Sequence, residues 1–421
     1  MKKISFYLMA FLAVTAISCN KPVNPTPEPD PDDNGGEIIE EPETPSYDGT
    51  FSQVVISPSS DGVAMMALVG TPDGKFAAGS NFMSGNPAVW DIENKDVVDI
   101  ANISGDAFGI SAKGTAVGQG RDVNAGEDSF NNYAFIGKGT NGSFLYYNPD
   151  VEEIYDEFWG ETYTVPVEDG SAAYTINEEE NLIAGFYYNG YSPRPCIWKT
   201  PFTAATDRIN LPIPTNEELG FPIDGAEVRW MSADASVLCG FVVDDTASWP
   251  LVIWNRQADG TYVVDPVCAA FFHPYEWEPA EPVTVPYMMF HPCSISANGE
   301  WVALTVQEYS DEFDVPTTAA RFNLKTKELV ICENGDFEPG CISNDGTVVG
   351  STMQSMWDPK PVHSYVWKAG EKSAIDVAEM VGSEAFDAYA ETKMCYIAPD
   401  NSYALGYGID ENFNTTSFVL K

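Results

Sequence analysis

The chain has 421 residues with 63 acidic and 21 basic side chains, a formal net charge of −42. Such a surface repels nucleic acid and anionic lipid, and it disfavours polyanionic substrates such as uronate polymers, whose carboxylates require Arg or Lys partners. Beyond the first residues no apolar run approaches the roughly 18 residues of a membrane-spanning helix, and three histidines leave few candidates for general-base chemistry.

Residues 1–19 read as a secretory leader. Lys2 and Lys3 form a basic start, Ile4 to Val14 an apolar run, and Ala16-Ile17-Ser18-Cys19 a cleavage site. That last group resembles a bacterial lipobox, with Ala16 where Leu is more usual. The resemblance implies acylation (palmitate) of Cys19, which becomes the mature N-terminus. An ordinary cleaved signal with a coincidental Cys is the alternative. Residues 20–50 read as a disordered, Pro-rich acidic tether. It carries nine acids against Lys21, so most of the negative charge belongs to residues 51–421. An acidic stretch just behind such a Cys also resembles the surface-export signal of some Gram-negative lipoproteins.

From residue 51 one phrase recurs seven times: an inner-strand ending, a tight turn, a Gly-ended strand, then an aromatic-ended strand. The copies run Thr71-Pro72-Asp73-Gly74 to Gly79 with Ala88-Val89-Trp90; Ile110-Ser111 to Gly118 with Tyr133-Ala134-Phe135; Ile176-Asn177 to Gly185 with Cys196-Ile197-Trp198; and Met231-Ser232 to Gly240 with Val252-Ile253-Trp254. The last three are Ile295-Ser296 to Leu304 with Ala320-Arg321-Phe322, Ile342-Ser343 to Gly350 with Tyr365-Val366-Trp367, and Ile397-Ala398 to Gly406 with Phe418-Val419-Leu420. Each phrase predicts an A strand, a two-residue Asp-Gly or Asn-Gly hairpin with positive φ, a B strand and a C strand whose aromatic fills the wedge between neighbours. Runs such as Val97–Ile100, Phe144–Tyr146, Tyr262–Val264 and Leu329–Ile331 read as outer D strands. Repetition at about 40 to 50 residues predicts an all-β, seven-bladed β-propeller over 51–421. The seventh unit lacks a D strand, and Phe51–Ile56 is a surplus one, so the N-terminal strand is expected to close the last blade. A tandem of β-sandwiches is the alternative, but sandwiches do not need one turn motif seven times.

The Ile-Ser-x-Asp-Gly, Val-Val-Gly, Ala-x-x-Trp order resembles WD40-like propellers and extracellular HAF-type repeats. With the leader, it looks like a β-propeller lipoprotein of Gram-negative bacteria. The resemblance implies a fold and carries no catalytic residues. Glu178-Glu179-Glu180 and Leu304 depart from the pattern.

Seven cysteines remain beside Cys19. Cys268–Cys293 and Cys332–Cys341 are candidate disulfides in an oxidising compartment, while Cys293, Cys341 and Cys395 also suit narrow inner-strand wedges. The A–B turns are tight; the long connections are B–C or D–A, and all of these emerge on one face. They include 119–132, 148–170, 212–225, 266–292, 307–318, 352–363 and 377–392, and binding residues concentrate in such loops. Candidate ligand-binding aromatics there are Tyr155, Trp159, Tyr187, Tyr188, Tyr191, Trp249, Tyr275, Trp277 and Trp357. Aromatic faces stack on sugars while carboxylates and amides bind hydroxyls, which points to a neutral glycan; the competing reading packs these rings onto their own loops. Asp311, Glu312 and Asp314 offer oxygen ligands for calcium without a calcium-loop spacing. No nucleophile elbow, His-Glu-x-x-His motif or phosphate loop is present. The reading is an outer-membrane, lipid-anchored, surface-facing binding module, monomeric by default. Its alternatives are a scaffold for an envelope protein complex or a glycoside hydrolase.

Overall fold

The structure, a computed structural model, describes residues 51, 53–58, 64–124, 131–156, 160–190, 192–215, 223–243, 251–265, 287–308, 317–352, 362–382 and 386–421. The leader and tether, with Cys19, lie outside the described residues. Within them, seven four-stranded antiparallel sheets and one two-stranded hairpin form. Blades 1 to 3 begin with A strands Met65–Gly70, Ile103–Ile110 and Glu168–Ile176. Blades 4 to 7 begin with Gly225–Met231, Tyr287–Ile295, Glu338–Ile342 and Glu391–Ile397. Each A strand touches the A strand of the next blade, and the last touches the first, so the ring is closed around a central channel.

Closure uses the N-terminal segment as expected. Val54–Ile56 pairs antiparallel with the last strand, Thr415–Leu420, placing Val54 opposite Leu420 and Ile56 opposite Phe418. Ser417 then ties the seventh blade to the first: its hydroxyl donates to the Met65 carbonyl (2.7 Å) and accepts from Ala67 N–H (2.8 Å). The sandwich alternative falls away with this ring.

The A–B turn is not the two-residue hairpin that the Asp-Gly pair predicts. In each blade the fourth turn residue donates its N–H to the first, as Gly74 to Thr71 and Gly346 to Ser343, and that fourth residue takes positive φ. The Asp precedes it with negative φ and works through its side chain. Asp345 accepts from the Ser343 hydroxyl (2.7 Å) and Thr347 N–H (2.9 Å), and Asp73, Asp234 and Asn298 do the same in their blades. In these four blades the turn is a side-chain-closed loop, and Glu180, Ala235 and Asn401 stand at the Gly position of blades 3, 4 and 7 with a φ near +60°.

Every A strand also bulges. In six blades an extra residue interrupts the A–B register at one shared position, Leu68, Phe108, Tyr174, Arg229, Gly340 and Cys395, and blade 3 has a second shift between Glu168 and Ser171. Directly across stand Gly79, Gly118, Gly185, Gly240, Gly350 and Gly406. A Cβ on Gly240 would lie 1.8 Å from the Glu227 carbonyl oxygen, and one on Gly79 1.9 Å from that of Met66. Blade 5 carries Leu304 instead, fully buried, and there the irregularity widens to span Phe290 to Ser294.

Aromatics wedge the blades. Trp90, Trp198, Trp254 and Trp367 on C strands are fully buried, and three indole N–H groups hold outer segments, as Trp254 does the Pro212 carbonyl at 2.7 Å. Blades 2 and 7 carry Gly137 and Leu420 at that position. Phe135 and Phe418, two residues earlier on the same strand face, supply the bulk there.

The carboxyl of Asp345 lies below the ordinary aspartate value: partial burial would raise it, but hydrogen bonds from Ser343, Thr347 and Asn401 outweigh that. Its contribution to stability is therefore present above an unfolded-state pKa near 3.8 and is lost as pH falls through the lower native value. Asp345→Ala should lower the thermal midpoint at pH 7, and the gap to the parent should close as pH drops below about 4. Paired melting curves across that range check it.

Candidate binding face

Strand direction sorts the connections. A–B and C–D turns lie on one face, where neighbouring turns are stitched together. Ala233 N–H donates to Ala297 O (2.8 Å), Asn298 N–H to Asn344 Oδ1 (2.8 Å), Asn401 Nδ2 to Asp345 Oδ2 (2.8 Å) and the Tyr403 hydroxyl to Thr71 O. B–C and D–A connections emerge on the other face. Val54 pairs with the final residue of the last C strand, so the chain enters the ring from the stitched face. The long connections face the opposite way.

On that long-connection face, blades 2 and 3 form a shoulder of aromatic, amide and acidic groups. Tyr133 opens the C strand of blade 2 and stacks on Tyr147 with centroids 4.3 Å apart. Asn131 Nδ2 donates to Asp169 Oδ1 across the blade boundary (3.0 Å). Tyr188, near the end of the B strand of blade 3, meets Phe186 edge-on at 5.2 Å and runs beside Gly170. Tyr133, Tyr147 and Tyr188 are each half-buried, so ring surface stays open to solvent.

The sequence predicts a long connection over 148–170. It contains a hairpin, Val151–Asp156 with Glu161–Pro166, because two β-prone runs flank a gap; its base closes by Val167 N–H to Asp150 O (2.9 Å). Tyr155 stands on this hairpin, 61% exposed. Tyr187 needs correction: it is not a loop aromatic but a buried B-strand residue, 8% exposed, with the Arg208 guanidinium 3.8 Å above its ring. Tyr188, its neighbour, points to the opposite sheet face. Trp159, Tyr191, Trp249, Tyr275, Trp277 and Trp357 lie outside the described residues, as do Asp311, Glu312 and Asp314.

Two buried ion pairs, one under this shoulder and one in blade 4, carry no sequence signal. Arg208 Nη2 meets Glu168 Oε1 at 2.5 Å, and Glu168 Oε2 accepts from Asn148 N–H (2.8 Å), which pins the base of the hairpin. Burial works against the charge on Arg208, yet Glu168 holds its pKa above the ordinary arginine value. Arg229 pairs with Glu227 (2.8 Å from Nε), two residues apart on one A strand. Burial pushes the Glu227 carboxyl up, and Arg229 offsets only part of this. Arg229 occupies the bulge position of blade 4 and lies 3.9 Å over the Tyr174 ring, which itself stacks on Phe108 at 4.7 Å. Bulge residues of three successive blades thus form a ladder along the channel wall.

The Cys332–Cys341 disulfide is also corrected. Cys332 Sγ donates to Asn334 Oδ1 (3.2 Å), and Cys341 Sγ accepts from the Ser294 hydroxyl (3.6 Å). Burial pushes both thiols up, and that of Cys395 up to about 12, so they act as inert packing groups at neutral pH. Cys268, half of the other candidate pair, lies outside the described residues. Among the described residues no three His, Cys, Asp or Glu side chains are grouped to hold a metal ion.

No protein-family model matches the chain, and no curated protein does. Solved structures do. The chain is similar to an oligogalacturonate lyase from Vibrio parahaemolyticus, at 12% identity over 87% of this chain and 91% of that one, with a TM-score of 0.48. It is also similar to the Cps50 (Swd1) β-propeller domain from Myceliophteria thermophila, at 12% identity over 87% and 99%, TM-score 0.44. A putative TolB from Agrobacterium tumefaciens follows at 9% over 85% and 90%, TM-score 0.39. These likenesses lie in the fold.

Adjacent tyrosines should separate by role. Tyr187→Ala should cost about 3 kcal/mol in urea unfolding, since it empties a core site and uncovers Arg208. Tyr155→Ala, on the exposed hairpin, should leave stability within about 0.5 kcal/mol of the parent.

Proposed function

We propose that this propeller is a binding module that captures a neutral glycan on the shoulder of blades 2 and 3. In this reading it is anchored in the outer membrane through an acylated Cys19. The observation that carries it is the open Tyr133–Tyr147 stack beside the Asn131–Asp169 pair, an aromatic platform next to hydroxyl-binding groups. A neutral ligand is favoured because the guanidinium under the shoulder, Arg208, is already paired with Glu168 and covered by Tyr187. Entry of the chain on the stitched face supports display of the shoulder away from the membrane. A second reading, docking of an envelope protein, draws on apolar tips of the same face: Phe82 and Met83 in blade 1 and Phe413 in blade 7 are 62%, 66% and 85% exposed.

A glycan-array screen of residues 46–421, with calcium and again with a chelator, tests the proposal. The expected result is binding to a narrow set of neutral glycans, weakened at least tenfold by Tyr147→Ala or Tyr188→Ala. Chelator sensitivity would add a structural calcium, for which Asp311, Glu312 and Asp314 are the candidate ligands. A blank array in both conditions, or binding indifferent to both tyrosines, would remove the glycan reading and leave the protein partner.

A further inference from the structure

The seven-fold repeat supplies its own control for unusual residues. At the middle of each C strand, one position faces the B strand with an aliphatic side chain: Val89, Ile136, Ile197, Ile253, Val366 and Val419. Blade 5 places Arg321 there, opposite Ala303, and it is only 4% exposed. No carboxylate lies within ion-pair distance of it among the described residues. Its guanidinium is solvated by backbone of blade 6 instead. Nη1 donates to Gly346 O (2.8 Å) and Lys368 O (2.9 Å), Nη2 only grazes Glu371 O at 3.5 Å, and the Trp367 ring lies 4.2 Å away. Burial lowers its pKa from the ordinary arginine value, and the more distant Cys332, Asp345 and Glu328 offset only part of this.

Arg321 is also one of the residues lining a cavity of about 320 Å³ between blades 5 and 6, on the stitched face. Trp301 and Val330 supply apolar wall, and Glu328 and Glu333 stand at the lining with Lys372. Lys372 already meets Glu333 at 3.5 Å, and Asp345 is occupied by its turn. A simple anion would be repelled by the carboxylates, and a simple cation by the buried guanidinium. A ligand carrying both charges suits both walls.

We propose that this cavity binds a small zwitterion of the α-amino acid type. Its carboxylate faces Arg321, its ammonium faces Glu328, and its side chain lies against Trp301 and Val330. Arginine suits the buried end because its planar fork keeps donors for a carboxylate while holding the blade 6 carbonyls. The site is separate from the shoulder of blades 2 and 3 and does not rest on the glycan reading.

Calorimetric titration of the full chain in mild detergent with the L-α-amino acids tests it, with N-acetyl and amide derivatives of each binder as controls. At least one apolar amino acid should bind, and removing either charge from it should weaken binding at least tenfold. Glu328→Gln should weaken the free amino acid but not its N-acetyl derivative, and Arg321→Lys should weaken both. Glu328 is an exposed rim residue, so that variant folds even if Arg321→Lys does not. No heat or shift from any amino acid at about 10 mM would overturn the proposal. So would binding unchanged by Glu328→Gln, or an N-acetyl derivative bound as tightly as its parent.

Discussion

Six of the seven blades depend on one close approach, between a glycine of strand B and the carbonyl that precedes the bulge of strand A. Because the glycine has no Cβ, the A strand can turn that carbonyl onto its neighbour and gain an extra residue in the same length. The bulge then aims one side chain toward the channel. In blades 2, 3 and 4 these side chains are Phe108, Tyr174 and Arg229, which stack on one another and join the blades from inside. Blade 5 is the exception that shows the coupling: with Leu304 in place of glycine, a single-residue bulge gives way to a wider irregularity.

From this follows a division of labour between the two faces. The side-chain-closed A–B turns are short enough to hydrogen-bond to one another around the ring, which makes that face stiff. The other face receives the inserted segments, and it is there that half-buried tyrosines, amides and carboxylates meet at the boundary of blades 2 and 3. The buried Arg208–Glu168 pair beneath them is costly to desolvate and costly to break, and through Asn148 it holds the base of the hairpin.

Much of the ring was legible because its signals are local. A Ser-x-Asp-Gly turn, a glycine and a tryptophan at fixed spacing report a blade without any knowledge of its partners. The closing strand was legible as a surplus at one end matching a deficit at the other. What escaped was either weak or non-local. The D strands of blades 3 and 6, Arg208–Asn210 and Ile375–Asp376, are too short to show a period. Turn type escaped because Asp-Gly also occurs in two-residue hairpins, and only the Ser or Thr two residues before the Asp distinguishes the wider loop. The bulge ladder, the pair Arg208–Glu168 and the placement of Tyr187 depend on register between strands. Composition identified a face rich in tyrosine, but it could not tell Tyr187 from Tyr188, which neighbour each other in sequence and lie on opposite sides of a sheet.

The most direct test of this account is the stability of alanine variants at the strand-B glycines, measured by urea unfolding of the propeller. Gly79→Ala, Gly240→Ala and Gly406→Ala should each cost about 3 kcal/mol, as expected for forcing a methyl group into a closed backbone contact. A Gly240→Ala protein as stable as its parent would contradict the account, since the Glu227 carbonyl would then have room that the contact denies it.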